Sequence, residues 1–76
     1  MVKFVGNADI AGRILKYYVF GNRKTGYWVR ICSGEEVSEH FFSRNLSETL
    51  ALAEQLRRCT VFPFNLSEII EDIAIS

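Results

Sequence analysis

The sequence predicts an α+β fold: a three- to four-stranded antiparallel β-meander followed by two C-terminal α-helices packed on one face of the sheet. Three observations carry this. Up to about residue 42, apolar side chains recur at every second position, in runs rich in aromatic and β-branched types and broken by glycine-bearing turns. From Leu46 onward the apolar spacing becomes helical. Finally, 76 residues, 49% of them apolar, suffice for one folded domain (β-rich over 2–42, helical over 46–74) but leave little core for a buried catalytic cleft.

At the N-terminus, residues 2–5 form a short strand that Gly6-Asn7 is expected to break. Residues 13–20 form the next. Alternation puts Leu15, Tyr17 and Val19 on one face and Ile14, Lys16, Tyr18 and Phe20 on the other. The segment Gly21-Asn22-Arg23-Lys24-Thr25-Gly26 is a turn with a glycine at each end, and residues 27–32 resume the strand pattern to complete a hairpin. Ser33-Gly34-Glu35-Glu36 is a second turn, leading to a strand over 37–42.

The tetrapeptide Asn-Leu-Ser-Glu occurs at 45–48 and again at 65–68. In each copy an Asn stands where it can cap a helix and a Glu follows three residues on, close to a capping box. The first helix is expected over 46–58, with Leu46, Leu50, Ala53 and Leu56 on one stripe and Leu52 and Cys59 widening it. Arg57 falls on the apolar side in the last turn, from where its long stem can carry the charge outward. Pro63 stops that helix, and Val61, Phe62 and Phe64 are too apolar for a free loop. The second helix, over 66–74, carries Leu66, Ile69, Ile70, Ile73 and Ala74 on one face and Glu68, Glu71 and Asp72 on the other. It is too short to stand alone and must dock.

The segment from Pro63 to Ile73 resembles the C-terminal signature of a family of small bacterial proteins, found in clostridial and related Gram-positive species and classed as a domain of unknown function. The positions that carry the likeness are Pro63, Leu66, Glu68, Ile69, Ile70, Glu71 and Asp72, preceded by a Tyr-rich strand, a Gly turn, a second strand and a helix ending near Cys59. The resemblance covers residues 17–74. One departure is Phe41-Phe42-Ser43, where the family tends to carry an acidic residue and an Ile before the Ser. The likeness implies a fold and no activity.

Nine Lys and Arg balance nine Asp and Glu, but unevenly. Residues 1–30 hold six basic residues against Asp9 alone, whereas residues 31–76 hold three Arg against eight acidic residues. Such a split marks either a binding surface or two halves that attract each other within one fold. No apolar run approaches the roughly 18 residues of a membrane span, and the N-terminus lacks a signal-peptide core, so a cytoplasmic, membrane-free protein is expected. Cys32 and Cys59 are then reduced thiols packed like small hydrophobes.

Catalytic, cofactor and metal sites are not expected. Cys32, His40 and Cys59 lack the close pairing of a zinc site, and His40 with either Cys is the one Cys–His combination available. Glu71 and Asp72 are adjacent on a helix and point about 100° apart, so they cannot converge on one substrate. Gly21-x-x-x-x-Gly26 lacks the Lys-Ser/Thr of a phosphate-binding loop.

The expected function is therefore a non-enzymatic protein-interaction or regulatory module working through its surface. One candidate surface is the basic-aromatic hairpin over 16–30: Lys16, Tyr18, Arg23, Lys24, Trp28 and Arg30. The other is the acidic strip Glu68, Glu71 and Asp72. A homodimer is an expected partner state, because 76 residues do not easily cover ten aromatics and two helix stripes. The alternative function is a single-stranded nucleic-acid-binding module using the hairpin, which requires the Lys16–Tyr18–Phe20 face to coincide with the Trp28–Arg30 face. Against it, the whole chain is neutral.

Overall fold

A computed structural model describes residues 1–75. Four strands, β1 (Val2–Ile10), β2 (Arg13–Asn22), β3 (Gly26–Ser33) and β4 (Glu36–Ser43), precede helix α1 (Leu46–Arg58), a 3-10 turn (Pro63–Asn65) and helix α2 (Leu66–Ile75). The strands form one antiparallel sheet in the order β1-β2-β3-β4. Both helices lie on the same face, giving the α+β meander that the sequence predicts. The molecule measures 37 × 28 × 19 Å. Its shortest dimension has room for one sheet and one layer of helices.

The main departure from the sequence reading is β1, which runs through Gly6-Asn7 to Ile10. The register slips between Phe4 and Gly6, so that Val5 is an extra residue in a bulge. The slip lets Val5 and Ala8 both pack against the core. Gly6 thus serves a close approach and does not break the strand: a Cβ there would lie 2.6 Å from Cδ of Arg57. That arginine crosses the bulge to donate to the Asn7 carbonyl (3.4 Å) and pairs with Glu54. Its guanidinium holds the Glu54 carboxyl below the usual carboxylate range.

Connections follow turn chemistry. Ala11 and Gly12 both have positive φ, the signature of a two-residue hairpin turn. In the β2–β3 turn, Asn22 Oδ1 accepts from the backbone N–H groups of Lys24 and Thr25, both at 2.9 Å. Gly21, at φ +130°, admits no side chain, because a Cβ would lie 2.2 Å from the carbonyl oxygen of Gly26.

The core sits between sheet and helices. Leu15, Tyr17 and Val19 of β2 and Tyr27, Val29 and Ile31 of β3 meet Leu52, Ala53 and Leu56 of α1, Val61, and Leu66 and Ile70 of α2. Tyr17 is fully buried and donates its hydroxyl to the Val61 carbonyl at 2.9 Å, tying the sheet to the interhelical connector. Burial pushes its phenol up from the ordinary value.

Asn45 caps α1 as expected, its side chain accepting from Glu48 N (3.0 Å). The reciprocal arm runs through a third residue: Asn45 N donates to Ser43 Oγ, and that hydroxyl donates to Glu48 Oε2. The second Asn-Leu-Ser-Glu differs, since Asn65 lies inside the 3-10 turn that feeds α2. The buried stripe of α1 is centred on Thr49, Leu52, Ala53 and Leu56, with Leu46 and Leu50 only partly buried. Thr49 can be buried because its hydroxyl donates to the Asn45 carbonyl. The expected packing of the thiols is corrected: Cys59 is exposed at the C-cap of α1 and Cys32 is half-buried. On α2, Leu66 and Ile70 are buried, Ile69 is partly so and Ile73 is exposed. The side chain of Ala74, the last expected member of that stripe, lies outside the described residues.

Candidate interaction face

Because side chains alternate, burying Leu15, Tyr17 and Val19 forces Lys16, Tyr18 and Phe20 to the opposite face. Burying Tyr27, Val29 and Ile31 does the same for Trp28, Arg30 and Cys32. The β2–β3 register pairs Phe20 with Trp28, Tyr18 with Arg30 and Lys16 with Cys32, so the two outward sets coincide. Four of the six hairpin residues singled out from the sequence (Lys16, Tyr18, Trp28 and Arg30) therefore share one helix-free face.

The flanking strands extend that face into rows. The first is Val2, Phe20, Trp28, Phe41; the second is Phe4, Tyr18, Arg30, Glu39; the third is Asn7, Lys16, Cys32, Val37. Five aromatic rings fill the first two rows. Phe20 and Trp28 lie nearly parallel, with centroids 6.1 Å apart; Phe41 meets Trp28 edge-on at 6.0 Å; and Phe4 tilts against Tyr18 at 5.3 Å. Phe4, Trp28 and Phe41 are exposed, and Tyr18 and Phe20 half-buried. Phe41 reaches Trp28 by lying over the hairpin backbone: a Cβ on Gly26 would sit 2.3 Å from its ring.

The charges on this face are few and of both signs. The Arg30 guanidinium lies 4.7 Å from the Phe20 ring centroid and pairs with Glu39 across the β3–β4 ladder at 2.5 Å. Lys16 extends from the third row beside Cys32, and Asp9 closes β1 in register with Ile14. Lys16 and Arg30 thus balance Asp9 and Glu39. Beyond Ile14, Lys16, Tyr18 and Cys32, Gly12 and Gly34 complete a shallow open depression.

Arg23 and Lys24 are exposed at the hairpin tip, beyond the aromatic rows, where the Lys24 carbonyl accepts from Arg44. The acidic strip Glu68, Glu71 and Asp72 is exposed on α2, on the far side of the molecule. Of the ion pairs among the described residues, Arg30–Glu39 alone joins the basic first half to the acidic second half.

Phe4 and Phe41 belong to the face but were not singled out from sequence. Phe4 shows as an outward residue only once the β1 bulge is known. Phe41 and Phe42 are adjacent and equally apolar, so their types do not say which faces the helices; the register sets Phe41 opposite Trp28 on the open face, and Phe42 packs against the core. The paired phenylalanines were the available signal.

The residues weighed for metal or nucleophilic chemistry do not converge. Cys32 is on the open face, His40 is paired with Val29 on the helix side of β4, and Cys59 caps α1. Among the described residues no group of three or more His, Cys, Asp or Glu could hold a metal ion, and no helix is long and apolar enough to cross a membrane. No family model, curated protein or solved structure matches the chain.

Proposed function

We propose that the chain is a non-enzymatic interaction module of the cytoplasm that engages a protein partner through the helix-free face of its sheet. One observation carries the reading. An antiparallel sheet with one wet face ordinarily alternates apolar-in with polar-out. Here the outward positions of two adjacent rows hold Phe4, Tyr18, Phe20, Trp28 and Phe41. Contiguous exposed apolar surface of that kind marks an interaction site, and aromatic residues with an arginine among them are the composition of binding hot spots.

Capture from a lysate of the native host tests the proposal, using tagged wild type, a Tyr18→Glu/Phe41→Glu variant and Glu71→Lys. Circular dichroism confirms that each is folded. Proteins retained by wild type and by Glu71→Lys are expected to be lost by the open-face variant. An unchanged set overturns the proposal, and loss with Glu71→Lys alone moves the surface to the acidic strip. Titration with a single-stranded oligonucleotide, followed by Trp28 emission at low and moderate salt, is expected to give no change. Salt-sensitive quenching supports nucleic acid as the ligand instead.

A further inference from the structure

Resting on the reading above, we infer that the partner of the open face is a second copy of this chain, the two sheets packing face to face about a two-fold axis. Charge is the first argument. Nucleic acid needs an excess of cations, and this face has none: Arg30 is held by Glu39 and Phe20, and Lys16 and Asp9 stand at outward positions as one charge of each sign. A face whose own charges cancel meets an identical face without repulsion.

Self-complementarity is the second. Two-fold contacts are isologous, so a residue i that meets j requires j to meet i. An axis running along the strands between β2 and β3 exchanges those strands between copies. It sets Phe20 of one copy over Trp28 of the other and Tyr18 over Arg30. Each pairing is favourable in its own right: ring on ring in the first row and guanidinium on ring in the second. Sheets packed this way lie about 10 Å apart with strands roughly 30° from aligned, which keeps those rows in contact near the axis.

Area is the third. Four strands at about 4.8 Å spacing and eight residues at about 3.3 Å each project roughly 500 Å². Two copies therefore cover about 1,000 Å², the lower bound of a specific interface. A dimer of that size is weak, with a dissociation constant on the order of 10–100 μM.

Trp28 is the chain's one tryptophan and lies on an inner strand in the aromatic first row of the face, so it reports the event directly. Sedimentation equilibrium from about 1 μM to about 1 mM, spanning that range, is run beside iodide quenching of Trp28. The mass is expected to rise from one chain to two, and quenching to fall at least several-fold over the same concentrations. Tyr18→Glu is expected to stay monomeric, and Glu71→Lys to dimerise like wild type. Should Tyr18→Glu not fold, the wild-type coincidence of mass and quenching decides alone. A monomer at the highest concentration, or a dimer in which Trp28 stays as accessible as before, overturns the second-copy partner. Either result leaves the broader interaction reading standing, because that reading falls on lysate capture, where bait immobilised above the dissociation constant retains native copies of this chain as well as other partners.

Discussion

The two faces of the sheet are built from the same two strands and nearly the same chemistry, yet they meet different fates. On β2, Leu15, Tyr17 and Val19 vanish under the helices while the apolar Tyr18 and Phe20 remain half-buried and Ile14 is exposed. On β3, Ile31 is buried and Trp28, the larger side chain, is not. What separates the faces is the supply of covering elements. Among the described residues, both helices after Ser43 pack on one face. Hydrophobicity at an outward position is thus not evidence of core membership. On this sheet the same chemistry occurs on surface that folding covers and on surface that folding leaves open.

Substitutions on the covered face should be the most damaging. Ile31→Ala removes a fully buried side chain between β3 and the helices and is expected to cost about 3 kcal/mol, the range for large-to-small core changes, as read by urea denaturation. Gly21→Ala should come next, near 2 kcal/mol. It demands φ +130° of a residue with a Cβ and drives that atom into the Gly26 carbonyl, which is backbone and cannot swing aside. If Ile31→Ala cost no more than an exposed substitution, the assignment of faces would be reversed.

The sheet's order and the two helices were readable because each rests on a period several residues long. The Leu15–Tyr17–Val19 alternation, the Leu66–Ile70 stripe and the Asn45 cap all appear in the structure. The choice of buried face on β2 was not readable, since Tyr17 and Tyr18 are the same residue type on opposite sides and only tertiary packing separates them. Bulges were equally hidden. The extra residue at Val5 reverses the alternation beyond it and placed Phe4 beyond the reach of pattern alone, while the adjacent Phe41 and Phe42 gave side-chain type no way to choose between them. Gly6 shows the same limit: as a sequence signal it reads as a breaker, whereas its use is the space occupied by Arg57. Cys59 fell on the apolar stripe by spacing but lies one residue past the last helical turn, where the backbone leaves the face.

Tyr17 joins the comparison to pH. Tyr17→Phe keeps the ring and removes the hydroxyl that satisfies the Val61 carbonyl, for an expected cost of about 1–2 kcal/mol. The wild type should also lose stability in alkali. Below about pH 10 the phenol is protonated in both folded and unfolded chains, so the contribution is fully present. Above it, the unfolded chain gives up the proton first, because burial raises the folded value. Stability then falls until pH passes the folded value. Tyr17→Phe should show a shallower alkaline decline than wild type in thermal melts from pH 8 to 11, and an equal decline would remove Tyr17 as its source. Asn45→Ala, which deletes the α1 cap, is expected to cost about 1 kcal/mol with no change in that pH profile.

The smallest effect on folding should come from the open face, and this is where the comparison is sharpest. Phe41→Thr removes a ring that contacts Trp28 edge-on and lies over Gly26, at a position 39% exposed. Threonine suits an outward strand site, so the loss is confined to the aromatic contact, about 0.5 kcal/mol. Urea denaturation measures this at low micromolar concentration, where association adds little. Repeated near millimolar concentration, the gap between wild type and Phe41→Thr should widen, because mass action stabilises only the chain that self-associates. For Ile31→Ala, whose face is intact, the gap from wild type should not grow to the same degree. A Phe41→Thr gap that stays constant with concentration would mean that the ring serves the monomer, and the open face would then be a second, smaller core rather than a surface for association.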